Sequence, residues 1–160
     1  MRTLAILNLS LLTLLSAPTL AADLENGLTA VRRGDYATAV REWTPLAEQG
    51  HAKAQALLGL MYKNGAGVEQ DYVVAAEWYR RAAEQGLAIA QFNLGLMYYK
   101  GDGVIQDYVQ AHMWSNIARS NGSEDVDKLL DTLEDIMTAS QISEAQAAAR
   151  DCVAKDYKGC

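Results

Sequence analysis

The chain has 160 residues, half of them apolar, with two cysteines, two prolines and a formal net charge of −6 at pH 7. An acidic chain without a lysine or arginine cluster argues against nucleic acid as partner, because that affinity comes from neutralising phosphates. Its two histidines, His51 and His112, lie far apart with no cysteine at ligand spacing, so a metal site has no ligand set.

Residues 1–22 read as a cleaved signal peptide. Arg2 precedes an apolar run from Leu4 to Leu15, and Ser16 to Ala22 offer the small residues a signal peptidase reads, so cleavage is expected after Ala21 or Ala22. Asn8 and Ser10 interrupt the run, which is shorter than the roughly 20 residues a bilayer-spanning helix needs. The product is therefore expected in the periplasm or secreted, with no membrane insertion after cleavage. Roughly 138 residues remain, enough for one domain, and losing the positive charge of Arg2 takes the net charge to −7.

In residues 23–33, Leu24, Gly27, Leu28 and Val31 share one face of a short helix. A second helix is expected over 35–49, with Trp43 one position out of the tryptophan register that follows. Pro45 removes one of its backbone hydrogen bonds. From here one unit of 36 residues is written twice, over 51–86 and 87–122. Ala54-Gln55 returns as Ala90-Gln91, Leu58-Gly59-Leu60-Met61-Tyr62 as Leu94-Gly95-Leu96-Met97-Tyr98, and Gln70-Asp71-Tyr72-Val73 as Gln106-Asp107-Tyr108-Val109. Ala75, Trp78, Ala82 and Gly86 return as Ala111, Trp114, Ala118 and Gly122. Self-similarity at such a period marks a stacked repeat architecture, and residues 23–50 read as a degenerate leading repeat.

Each unit punctuates itself. Asp35, Asp71 and Asp107 stand where a second helix begins, where a carboxylate accepting from first-turn amides contributes about 1 kcal/mol. Gly50, Gly86 and Gly122 stand where that helix ends. Gly59 and Gly95 fall inside first helices, at a cost of roughly 1 kcal/mol against alanine, which implies close backbone approach. Leu58, Tyr62, Val68, Tyr72, Ala75, Trp78 and Ala82, with their counterparts, are expected to form the layer between helices. Trp78 and Trp114 could alternatively form an aromatic ligand site. Gly65 to Gly67 and Gly101 to Gly103 read as turns between helices, since the pattern of a phosphate-binding loop is missing.

After Gly122 the repeat stops. Residues 123–160 read as capping helices: Val126, Leu129, Leu130, Leu133 and Met137 form one apolar face, and the neighbouring carboxylates lack the loop spacing of a calcium site. Thr138 to Gln141 form a capping box opening a last helix with Ile142, Ala145, Ala149, Cys152 and Val153 inward. Cys152 and Cys160, the only cysteines, are expected to pair in an oxidising compartment and to close the tail onto that helix.

The helix pattern A-x-A-Q-x-x-L-G-x-M-Y, the loop G-x-G-V-x-Q-D-Y and the second helix with A-x-x-W and a closing glycine resemble the Sel1-like repeat, a relative of the tetratricopeptide repeat. The resemblance covers roughly residues 34–122. It implies an all-α, right-handed α/α solenoid with a C-terminal helical cap, acting as an adaptor that binds a protein or peptide rather than as an enzyme, with no cofactor and no metal. In such stacks the first helices line the concave groove. Carried onto this register, the groove positions are Lys53, Ala56, Leu60, Lys63 and Asn64 in one repeat, and Ile89, Phe92, Leu96, Tyr99 and Lys100 in the next. Gln55 and Gln91 are expected to hydrogen bond an extended peptide backbone, and Phe92 is expected either in the groove or in packing. A peptide with an apolar anchor and an acidic flank suits this lining.

Two other readings remain. Some cysteine-rich members of the family are linked to β-lactam binding or hydrolysis, but they carry a cysteine pair in each repeat, whereas these repeats carry none and no S-x-x-K motif occurs. The truncated first unit also leaves an interface edge at residues 24–34, through which a self-associating envelope protein could form a homodimer.

Overall fold

A computed structural model describes residues 20–160, so the expected signal peptide lies outside the described residues except for its last three, which open the first helix. Among the described residues there are eight helices and no strand: α1 Leu20–Arg32, α2 Tyr36–Glu48, α3 Ala52–Asn64, α4 Tyr72–Ala83, α5 Ala88–Lys100, α6 Tyr108–Ser120, α7 Asp127–Ile136 and α8 Ala139–Ala154. Helices α1 and α2, α3 and α4, and α5 and α6 form packed pairs, and each pair stacks on the next, which makes the chain an α/α solenoid.

The boundaries follow from capping chemistry. Asp35 accepts from the Thr38 amide at 3.1 Å, Asp71 from Val73 and Val74 at 2.9 and 3.0 Å, and Asp107 from Gln110 at 3.0 Å. Thr138 and Gln141 form the expected reciprocal capping box at the start of α8.

Within each pair a glycine of the first helix receives a side chain of the second. A Cβ on Gly27 would lie 2.1 Å from Trp43 Nε1, one on Gly59 3.0 Å from the Tyr79 ring, and one on Gly95 3.0 Å from Ser115 Oγ and 3.1 Å from the Ala111 carbonyl oxygen. Trp43 therefore belongs to the register of Tyr79 and Ser115. Its mismatch with Trp78 is no displacement of the helix: it fills the niche of Gly27 and donates from Nε1 to the Leu24 carbonyl at 3.2 Å. Tyr72, expected in the layer between helices, is exposed, and the buried aromatic of α4 is Tyr79. Trp114 is buried while Trp78 is half-buried under the Arg81 guanidinium at 4.7 Å, so neither stands in an open aromatic site.

Two devices set the spacing between repeats. The loop glycines Gly67 and Gly103 combine positive φ with close approach: a Cβ there would lie 2.4 Å from the Tyr36 carbonyl carbon and 2.2 Å from that of Tyr72, the first residue of the preceding repeat's second helix. The other device is a buried amide clasp. Gln55 Nε2 donates to the Ala47 carbonyl at 3.0 Å while its oxygen accepts from Gln85 at 2.7 Å. One period later, Gln91 donates to the Ala83 carbonyl at 3.1 Å and accepts from Asn121 at 2.9 Å.

The C-terminal helices cover the last repeat. Leu129 and Leu133 of α7, with Met137, pack with Ala111 of α6 and Ala145 of α8, and the backbone of α8 lies against α6. Fully buried His112 of α6 joins the two layers. Asn116 Nδ2 donates to its Nδ1 at 2.9 Å, which leaves Nε2 protonated and facing Glu134 of α7 at 3.5 Å. Beyond α8, the Cys152–Cys160 disulfide, with Cα atoms 5.5 Å apart, folds the tail back. Tyr157 lies against Gly86 and donates to Asn121 Oδ1 at 3.2 Å, and Lys158 Nζ donates to the Glu84 carbonyl at 2.9 Å. Asp156 and Tyr157 adopt positive φ, a conformation that side chains other than glycine's resist.

Cys160→Ser is expected to lower stability by roughly 2 to 3 kcal/mol in the chain-entropy estimate for so short a loop, read as a fall in the thermal unfolding midpoint. Reductant should lower the midpoint of the native chain similarly and leave the variant unchanged.

Burial holds the His112 pKa below its ordinary value of 6.5, with Arg119 acting in the same direction and the Glu134 carboxylate opposing both. The folded chain thus prefers the neutral ring, and the unfolded chain takes up the proton first. Stability is fully present above the ordinary histidine value and falls as pH drops from about 6.5 through the lower folded value. The unfolding midpoint should therefore fall between about pH 7 and pH 5, and His112→Gln should flatten that fall. The lowered pKa of the Asp35 carboxylate acts in a separate window, below its ordinary 3.8.

Candidate functional site

The first helices α1, α3 and α5 border a cleft of about 480 Å³. Leu24 and Leu28 come from α1, Lys53, Ala56, Leu57 and Leu60 from α3, and Ile89 and Asn93 from α5, with Leu87 and Tyr79 completing the lining. Leu60 is 37% exposed and Ile89 48%, high values for side chains of this size and apolarity. Burying such surface against a partner stabilises a complex at roughly 25 cal/mol per Å² before the costs of association.

The cleft gathers some of the expected groove residues and excludes others. Lys53, Ala56, Leu60 and Ile89 line it. Lys63 lies at its edge, half-buried, and donates from Nζ to Asn93 Oδ1 at 3.2 Å. Burial lowers the Lys63 pKa, and neighbouring Lys100 adds to that while Asp102 opposes it. Lys100 and Asn64 are exposed at the ends of their helices.

The expectation for Gln55 and Gln91 is corrected. Both are buried, 4% and 0% exposed, on the face of their helices turned toward the preceding second helix, and their amides are used in the clasp between repeats. Phe92, Leu96 and Tyr99 are also removed from the open groove. Phe92 packs on Val126, Leu130 and Ala118, Leu96 and Tyr99 join the cluster of Leu129 and Leu133, and the Tyr99 ring lies 6.0 Å from that of Tyr108. The capping helices cover the second repeat where the first stays open.

Sequence reasoning missed Leu24 and Leu28. Once Trp43 is aligned with Tyr79, the leading repeat has a shorter loop, and Leu24 and Leu28 take the positions of Ala56 and Leu60. The misplaced tryptophan was the available signal. Leu57, Asn93 and Tyr79 had no signal of this kind, since they turn toward the cleft only through the packing of neighbouring helices. Burial raises the pKa of the Tyr79 phenol, so Tyr79 stays neutral.

A second cleft, about 390 Å³, lies between α6 and α8 and includes Arg119, Arg150 and Ser120. It lies away from the first helices and exposes less apolar surface. Among the described residues no group of three or more His, Cys, Asp and Glu side chains converges as a metal site would require, and no helix is long and apolar enough to cross a membrane.

A family model described as Sel1 repeat matches residues 52–87 and 88–123, one residue later than the boundaries read from the sequence. The chain superposes on c5321, a protective antigen present in uropathogenic Escherichia coli strains displaying an SLR fold, with a TM-score of 0.81 and 32% identity, covering 88% of this chain and 32% of that one. This chain thus spans about a third of that protein's length. It also matches a Sel1 repeat protein from Oxalobacter formigenes, with a TM-score of 0.64 and 37% identity, covering 71% of this chain and 89% of that one. No curated protein matches. With two adjacent repeats matched and a relative of this identity covered over most of its length, the chain belongs to the Sel1-repeat family.

Proposed function

We propose that the chain is a non-enzymatic adaptor whose cleft along α1, α3 and α5 holds a segment of a partner protein. Sel1-repeat proteins are generally scaffolds for protein interaction without catalytic activity. The observation that carries the reading to this site is the open apolar cleft: Leu60 and Ile89 are exposed in it, whereas Leu96, one period after Leu60, is covered by the cap. Binding modules of this kind work by withdrawing such side chains from water around a few anchors. A rigid stack suits that task, because little ordering entropy is lost on the protein's side.

The compartment belongs to the same proposal. A disulfide closing the tail is stable where thiols are oxidised, and the apolar run at the N-terminus has the pattern of a secretory leader. Both support a periplasmic or secreted adaptor.

Crosslinked capture from the native envelope fraction tests the proposal. The native chain should recover a partner, and Leu60→Asp or Ile89→Asp should each reduce recovery about tenfold, as for a central contact of an interface. Ile105→Asp is the control, since Ile105 is 90% exposed outside the cleft. Equal recovery by all four proteins sinks the assignment of the cleft, and recovery of the chain alone favours self-association.

A further inference from the structure

We infer that the cleft is an anchor pocket for one aromatic side chain of the partner, with a neighbouring carboxylate drawn to Lys53; this rests on the protein-binding reading of the same cleft. The chain carries its own template for the occupant. Ala56 and Phe92 hold the same position in successive repeats. Phe92 packs on Ala118, Val126 and Leu130. Ala118 has Ala82 as its counterpart in the first repeat, and Ala82 shares a buried cluster with Ala56, Ala90 and Leu94. Where the second repeat sets a phenylalanine ring on its buried cluster, the first repeat sets a single methyl group.

Tyr79, where the next repeat has Ser115, takes up part of the volume that Ala56 leaves, yet about 480 Å³ remains open. Aliphatic walls from Leu24, Leu28, Leu60 and Ile89 suit the faces of a ring. Among the described residues Lys53 is the one charged residue of the lining, which contains no carboxylate, although the chain as a whole is acidic. A positive mouth on an apolar pocket favours an aromatic residue flanked by aspartate or glutamate, and disfavours a flank of lysine or arginine.

Selection of random short peptides on the full chain tests the inference. Enriched peptides should share an aromatic residue with an acidic neighbour, and replacing the aromatic by alanine should weaken binding at least about tenfold. Leu60→Asp should abolish enrichment, and Lys53→Glu should shift the preferred flank from acidic to basic. Ala56→Phe transfers the solution of the second repeat to the first. If its helical signal and cooperative unfolding are retained, it should no longer bind the selected peptides, and full affinity in a folded Ala56→Phe protein overturns the inference. If Ala56→Phe does not fold, the Leu60 and Lys53 variants decide. Enriched peptides without an aromatic, binding that ignores Leu60→Asp, or no enrichment also overturn it. If envelope capture still depends on Leu60 in those cases, the adaptor reading stands and only the aromatic anchor falls; if capture ignores Leu60 as well, both fall.

Discussion

The buried amides of Gln55 and Gln91 are the constraint on which the stack depends. A primary amide removed from water is costly unless both its donor and its acceptor are used. Here each is used across a different boundary: the amide donates to the carbonyl that ends the preceding second helix and accepts from the residue that ends its own. Three helix ends are thereby held together by one side chain, and a change of angle between repeats would break the buried hydrogen bond to the preceding repeat. The clasp runs on into the tail, where Tyr157 donates to the Asn121 that serves Gln91.

With the repeat spacing held, the volumes within each pair decide what is open and what is filled. The side chain seated on the first-helix glycine shrinks from Trp43 to Tyr79 to Ser115 along the chain. At the matching first-helix position the residues are Leu24, Ala56 and Phe92. In the last pair the phenylalanine meets the capping helices and the core closes over it. In the middle pair Ala56 leaves a recess that Tyr79 fills only in part. The cleft is thus a local shortfall of volume inside a regular scaffold, with rigid walls because helices on both sides are packed.

The C-terminal end shows how a short array ends its stack. Helix α8 lies along α6, burying Ala145, Ala149 and Cys152, while its exposed residues face solvent. An array that ended on an uncovered apolar interface would invite association with other chains. The tail beyond α8 has few apolar residues to hold it and two residues at positive φ, so a covalent bond to Cys152 supplies what burial does not.

Much of this was legible in the residues themselves. Aspartate at the start of each second helix, glycine at its end and a period of 36 residues determine helix pairs of fixed length by local rules of capping and turn formation, which act over a few positions. Gly59 and Gly95, which are unfavourable inside a helix, announced close packing before any partner was known. What the sequence alone could not determine was which face of a first helix meets which neighbour. A repeated glutamine reads equally well as a free groove residue or a buried clasp, and Phe92 as a ligand contact or a core residue, because both uses occupy the same helical position. Tertiary structure decided between them. Residues 123–160 fold over the second repeat and leave the first uncovered, and that asymmetry arises from contacts between segments distant in sequence, to which no local pattern is sensitive.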